Sequence, residues 1–223
     1  DVPEAIDFHT HLGVSFLMAP KVDLLHHTAR PDYVLDYDAE SPPCPLDLEE
    51  YVSSTATPGM IQGMEKEYQS ALFKGSAKAQ THSVPNLLDE MNRVKVGKAV
   101  VLGLAPGLTP DENLTERWGE AIRRTGAEKR LILFGAVPPK DPRAIEKLRR
   151  QKETLGIRGI KFHPSVQRCA PNDPAAMKLF EECERLDLPV FFHAGKAAMG
   201  PPATRGFAEM KNFVEPVSSF PKV

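Results

Sequence analysis

An α/β fold with a parallel sheet is predicted by three observations. Apolar runs of strand length alternate with amphipathic stretches of helix length, the alternation repeats about every thirty residues from residue 95 onward, and histidines stand at the downstream ends of several runs. Strands separated by helices of that size form βαβ units, and successive units make a parallel sheet.

The first strand covers about residues 4–11 and contains Ile6-Asp7-Phe8-His9-Thr10-His11. Side chains alternate faces on an extended strand, so His9 and His11 share one face, about 7 Å apart, and both can reach one metal ion. Residues 12–95 form a long insertion, rich in Pro, Tyr, acids and Ser/Thr between residues 30 and 58, with helices expected at about 58–74 and 84–92. A connection of that length reads as a functional insertion or lid.

Residues 98–104 read as the second strand. Thr109-Pro110-Asp111-Glu112 then supplies an N-cap, a first-turn proline and a capping-box acid; Leu114, Trp118, Ala121 and Ile122 make an apolar stripe, and Gly126 a stop. The third strand is 131–137, followed by a helix opened by Asp141-Pro142, with Ile145, Leu148 and Leu155 inward and Gly156 at its end. The fourth is 157–163, and Asp173-Pro174 opens a helix carrying Met177, Phe180 and Cys183. The fifth is 188–193, with a weaker helix at about 205–215.

Two folds use this alternation, an open doubly wound sheet and the (β/α)8 barrel. No glycine-rich phosphate-binding turn follows the first strand, and histidines gather at the C-terminal ends of strands one, four and five, which favours the barrel.

A chain of 223 residues can bury the core of one domain, and 41% hydrophobic with 26% charged residues is ordinary for a soluble protein. A formal net charge of −2 gives no pull toward nucleic acid or anionic membrane. Arg123-Arg124 and Arg149-Arg150 lie on expected helix faces among acids and read as solvated surface. Cys44, Cys169 and Cys183 are odd in number and widely spaced, which fits a reducing compartment. Nothing resembles a signal peptide, and no apolar run approaches the roughly 18 residues of a membrane helix. A cytoplasmic location is therefore expected.

Aligned by strand end, His9 and His11 belong to strand one, Lys161 and His163 to strand four, and His193 to strand five. Three neutral imidazoles plus water suit Zn²⁺, and a carboxylate would complete a catalytic site.

Asp7-Phe8-His9-Thr10-His11, Gly159-Ile160-Lys161-Phe162-His163-Pro164 and Leu188-Pro189-Val190-Phe191-Phe192-His193-Ala194-Gly195 resemble, in order and spacing, the amidohydrolase superfamily. The resemblance is nearest to its amidohydrolase-2 branch of metal-dependent TIM-barrel hydrolases and decarboxylases. It covers strand one and the chain from about residue 96 onward, and implies that His9, His11 and His193 are metal ligands. It also implies a strand-six histidine acting as acid–base and a strand-eight aspartate that binds metal and activates water. Neither has a counterpart in this sequence, and residues 218–223 look like the approach to strand six. A closed barrel takes about 250 residues, and five strands would leave parallel edges and the barrel interior exposed. Residues 1–223 are thus expected to be the N-terminal part of one (β/α)8 domain, its first five β/α units, with 12–95 inserted between strands one and two.

Lys161 and His163 are the candidate catalytic residues. Lys161 matches the place where related superfamily members carry a carbamylated lysine between two metals, but pairing with a substrate carboxylate or an acid in the barrel is favoured. His163 reads as a substrate contact or a support for a ligand. Asp7 is expected either to orient the strand-one histidines or simply to form an ion pair, His26 and His27 to sit in a lid or on the surface, and His82 on the surface. Cys169 and Cys183 read as small buried residues and Trp118 as core.

The expected function is a hydrolase using Zn²⁺ or another divalent metal, with metal-activated water attacking an amide or lactone bond of a small organic substrate. Non-oxidative decarboxylation of an aromatic or enol carboxylic acid is the alternative on the same scaffold. A non-catalytic, barrel-derived binding module is a second alternative, and a metal-dependent nuclease is disfavoured by the near-neutral charge. The expected partner is a small-molecule substrate, with neither nucleic acid nor membrane, and homo-oligomerisation is left open.

Overall fold

The computed structural model describes residues 5–17, 19–32, 62–63, 65–66, 69–70, 73–109, 114–195 and 201–222. Its elements are β1 (Ala5–Thr10), α1 (Ala77–Thr81), α2 (Val84–Arg93), β2 (Val96–Leu102), α3 (Leu114–Arg124), β3 (Leu131–Phe134), α4 (Ala144–Leu155) and β4 (Ile160–Phe162). They continue with α5 (Pro164–Gln167), α6 (Pro174–Arg185), β5 (Val190–Phe192), two 3-10 turns (Pro202–Ala208 and Met210–Phe213) and α7 (Val214–Ser219).

Every ladder between these strands is parallel. β1, β2 and β3 form one, and β4 and β5 another. A bridge between Gly135 and Ile160 joins the two, and the Lys161 N–H donates to the Gly135 carbonyl at 2.8 Å across the same seam. Spatial order therefore follows chain order, as in a barrel, without the reversal of a doubly wound sheet.

Register decides which side chains meet. Ala99, Val101, Leu131 and Leu133 fall on one face of the sheet, and Val100, Leu102, Ile132 and Phe134 on the other. The first set packs with Trp118, Ile122, Leu148 and Leu179 in the main core beneath the helices. The second set forms a separate apolar cluster with Phe191. Burial on both faces explains why β2 lacks the polar alternation of a half-exposed strand.

The sheet curls around this second face. Four inter-strand steps of about 4.8 Å would separate β1 from β5 by about 19 Å in a flat sheet. The rings of His9 on β1 and Phe191 on β5 nevertheless lie 5.7 Å apart. No ladder joins β1 to β5 among the described residues, so the array is curled but not closed.

Several local expectations change. The helix expected at Asp141 begins at Ala144, because Asp141 Oδ1 accepts the Arg143 N–H at 2.8 Å and makes a turn ahead of the first helical residue. Gly156 does end that helix, with φ of 63°, and Asp173 caps α6 through the Ala175 N–H. The helix expected at 205–215 is replaced by the two 3-10 turns, since Glu209 between them is extended (φ −67°, ψ 141°). Of the segment expected to approach strand six, Ser218 and Ser219 end α7, which is capped by the Phe220 N–H on the Pro216 carbonyl. Cys44, most of the 58–74 helix and residues 110–113 of the expected cap lie outside the described residues. No helix among the described residues is long and apolar enough to cross a membrane.

Candidate active site

β1 delivers its histidines through an irregular register. Three residue steps from Asp7 to Thr10 span two steps from Ala99 to Val101 on β2, one extra residue that breaks the strict alternation expected of Asp7, His9 and His11. Asp7 Oδ1 accepts the main-chain N–H of His9 at 2.8 Å, a bond to the strand backbone, and Asp7 lines the same cleft as His9 and His11. The His9 and His11 rings meet edge to face at 5.2 Å. His11 Nδ1 lies 2.8 Å from the Leu102 carbonyl. A carbonyl can only accept, so Nδ1 holds the proton and Nε2 keeps its lone pair.

Lys161, His163 and His193 come from the adjacent strands β4 and β5. The His163 and His193 rings stack at 3.9 Å, 9° from parallel. His163 also caps α5: its Nδ1 accepts the Val166 N–H at 3.4 Å. Nδ1 is therefore the lone-pair nitrogen and Nε2 carries the proton, the opposite tautomer to His11. Gln167 fixes this corner, with Oε1 accepting the His163 N–H and Nε2 donating to the Val137 carbonyl in the loop after β3. Lys161 is 2% exposed, with Nζ 4.6 Å from the centre of the Phe191 ring.

Burial and one cation set the protonation states. Burial lowers the pKa of His11 to about 4 and that of His163 to about 3, with Lys161 adding to both shifts. His9 and His193 are lowered too, by burial first and then by the Lys161 charge. Lys161 itself falls to about 8 through burial. At neutral pH the four imidazoles are neutral, the state in which imidazole ligates metal.

These donors suit a divalent cation chemically. His11 presents an unprotonated Nε2, and His193 Nε2 is buried with no hydrogen-bond partner among the described residues. The three expected ligands do not, however, converge: no group of three or more His, Cys, Asp or Glu among the described residues is arranged to hold a metal. His9 and His11 pair on β1, while His193 pairs with His163 across the curled face. A cleft of about 450 Å³ between β1 and α2 is lined by His9, His11, His82 and Asn86, whereas Lys161, His163 and His193 lie outside it.

The other candidates separate cleanly. His82 is not a free surface residue: it is half-buried, and Nε2 lies 3.2 Å from the Asp32 carbonyl. His27 forms an exposed pair with Asp89 at 2.7 Å, as suits the surface reading. Cys169 and Cys183 are buried, their thiols pushed up to about 12 by burial, and they are poor nucleophiles. Trp118 is fully buried and donates Nε1–H to the Gly13 carbonyl at 3.2 Å. Phe191 was not singled out in the sequence. Its signal was two-residue spacing from His193, which places it on the site face beside Lys161.

Comparison with known proteins follows the same lines. The amidohydrolase family model, of the amidohydrolase-2 type, matches residues 6–219. No curated protein matches the chain. Among solved structures, an uncharacterised TIM-barrel protein from Bordetella bronchiseptica is similar with a TM-score of 0.55 and 17% identity, over 99% of this chain and 64% of that one. The 5-carboxyvanillate decarboxylase LigW from Sphingomonas paucimobilis has a TM-score of 0.55 and 16% identity, over 98% and 65%. The 2,6-dihydroxybenzoate decarboxylase from Rhizobium has a TM-score of 0.48 and 14% identity, over 98% and 64%. The chain thus spans less than two thirds of the length of each of these structures. With the family model matched across nearly its whole length and a parallel α/β sheet that carries histidines at its strand ends, the chain belongs to the amidohydrolase family, in its amidohydrolase-2 branch.

Proposed function

We propose that this chain supplies the metal- and substrate-binding face of a divalent-metal-dependent enzyme acting on a carbonyl or carboxyl carbon of a small organic molecule. The observation that carries this reading is the set of neutral imidazoles at one end of a curled parallel sheet, with His11 Nε2 left unprotonated and His193 Nε2 buried and without a hydrogen-bond partner among the described residues. His9, His11 and His193 are the donors that would hold the ion, which requires them to draw closer together than they stand here. When bound, such an ion supplies Lewis acidity toward a substrate oxygen and makes water more acidic. The chain's own part is to keep the imidazoles neutral by burial, to fix the His11 tautomer through Leu102, and to present Lys161 and His163 to the substrate. In this reading residues 1–223 belong to a single (β/α)8 domain, with 12–95 inserted after β1. The curl of the sheet and the chain's share of the matched structures' length support that placement.

Hydrolysis of an amide or lactone is one reaction that suits this face. Non-oxidative decarboxylation stands equally beside it, because a 5-carboxyvanillate decarboxylase shares the fold, and fold does not select between the two chemistries. Metal analysis of the purified protein, assaying zinc and manganese together, is expected to find a bound divalent ion that His11→Ala and His193→Ala each release. A panel of lactones, amides and aromatic acids then separates the reactions by product, a ring-opened or cleaved acid against CO₂. A well-folded protein that retains no divalent ion after reconstitution would falsify the metalloenzyme reading.

A further inference from the structure

The loop that follows β2 is fastened firmly where it leaves the sheet. The Gly103 N–H donates to the Phe134 carbonyl at 2.9 Å, and a Cβ on Gly103 would stand 2.8 Å from that same oxygen. Its root therefore has no room to shift. Further along, the hold is lighter. Leu108 packs with Phe16 and Leu114 in a small apolar cluster apart from the main core, and of the loop's two leucines only Leu104 also reaches that core. Gly107, at the tip, has φ of 65° and backs onto Pro138 in the loop after β3.

The tip is held by a side chain from a third loop. Arg168 Nη2 donates to the Gly107 carbonyl at 2.9 Å and to the Pro106 carbonyl at 3.3 Å. Arg168 follows α5 at the end of β4, and β3 lies between β4 and β2, so the contact reaches across the end of one strand. The guanidinium is exposed, and no carboxylate among the described residues pairs with it.

Arg168 holds this place at a cost. As the C-cap of α5 it is left-handed, with φ of 53° and ψ of 39°, a conformation that strains a residue with a Cβ and that glycine takes freely. α4 ends in the same conformation with Gly156. After α5 an arginine stands there instead, and its side chain is spent on the loop after β2. Both ends of the contact begin beside the candidate site: the loop starts next to Leu102, whose carbonyl holds His11, and α5 is capped by His163.

We propose that residues 103–109 form a flap at the rim of the candidate site and that Arg168 is its latch, closed while the guanidinium sits on the Pro106 and Gly107 carbonyls. This goes beyond the metal and substrate reading and does not depend on it. Bonds from a guanidinium to neutral carbonyls are weaker than those to a carboxylate, and an exposed guanidinium exchanges them readily for water. Strained backbone of this kind gathers at switch segments. Closed and open states therefore lie close in free energy.

The test is thermolysin cleavage of the folded 223-residue protein, with fragments mapped by mass. The enzyme cuts on the amino side of leucine, and when opening and closing are faster than cleavage the rate before Leu108 follows the open population. Arg168→Ala removes the guanidinium and keeps the strain; it is expected to speed that cleavage about tenfold. Arg168→Gly removes both, and is expected to match the cleavage rate of Arg168→Ala while showing a higher urea midpoint. Arg168→Lys keeps the charge without the fork that spans two carbonyls, and should fall between the wild type and Arg168→Ala. Three results overturn the proposal. Cleavage before Leu108 that is unchanged in Arg168→Ala removes the latch. A rise of equal size at sites throughout the chain means that Arg168 supports the whole fold and not a flap. An Arg168→Gly protein no more stable than Arg168→Ala means that no strain is stored at this position.

Discussion

His11 and His163 differ chiefly in what their Nδ1 atoms touch. One faces a main-chain carbonyl and the other a main-chain N–H, so one ring offers a lone pair to the site and the other a proton. Neither preference is written in the residue type. The same logic of partners governs Glu182, whose nearly buried carboxylate bonds Arg149 at 2.8 Å and Arg185 at 2.9 Å. The Arg149 hydrogen bond, against an opposing effect of burial, holds its pKa below the ordinary carboxylate value of 4.5. A depressed folded pKa adds stability that is present above the unfolded value and lost as pH falls through the folded one. Glu182→Gln is therefore expected to cost about 1 kcal/mol at pH 7, discounted because both arginines are half-exposed or more. In urea unfolding, that difference should disappear once the pH drops below the folded pKa of Glu182.

At the scale of elements, β4 depends on a residue with no side chain. A Cβ on Gly159 would sit 2.5 Å from the Phe134 ring and 2.8 Å from the Pro189 carbonyl. The bare Cα lets β3 and β5 close on the start of β4 and sets the register that carries Lys161 to the inner face. Gly159→Ala is expected to destabilise the fold by about 1–3 kcal/mol through overpacking, seen as a lower urea midpoint with an unchanged slope. An unchanged midpoint would mean that Phe134 moves aside freely. The helices were legible because their punctuation is local: Asp173 caps α6 and Gly156 closes α4 in the left-handed region. The start of α4 was misread because Asp141 makes a competing local hydrogen bond that apolar periodicity does not reveal.

For the whole molecule, metal binding and stability are linked. A ligand that binds only the folded state at a hundred times its dissociation constant raises stability by about 2.7 kcal/mol. Zinc or manganese at saturating concentration is expected to raise the melting temperature of the wild type, and His193→Ala to lose most of that rise. An equal rise in both proteins would place the ion elsewhere.

The sequence by itself determined the parallel α/β class, the order of the five strands and the strand ends at which His9, His11, Lys161, His163 and His193 stand. These features depend on periodicity and caps, which act over a few residues. Only the tertiary structure decided how those side chains meet. The curl that brings β1 against Phe191, the extra residue in β1, the opposed tautomers of His11 and His163 and the burial of Lys161 against the Phe191 ring are all set this way. Most of them join segments tens of residues apart, and no local pattern encodes which carbonyl, ring or glycine will lie across the sheet. The His-x-His near the N-terminus thus located a cluster of imidazoles, but partners from β2 and β5 decide what each of them can do.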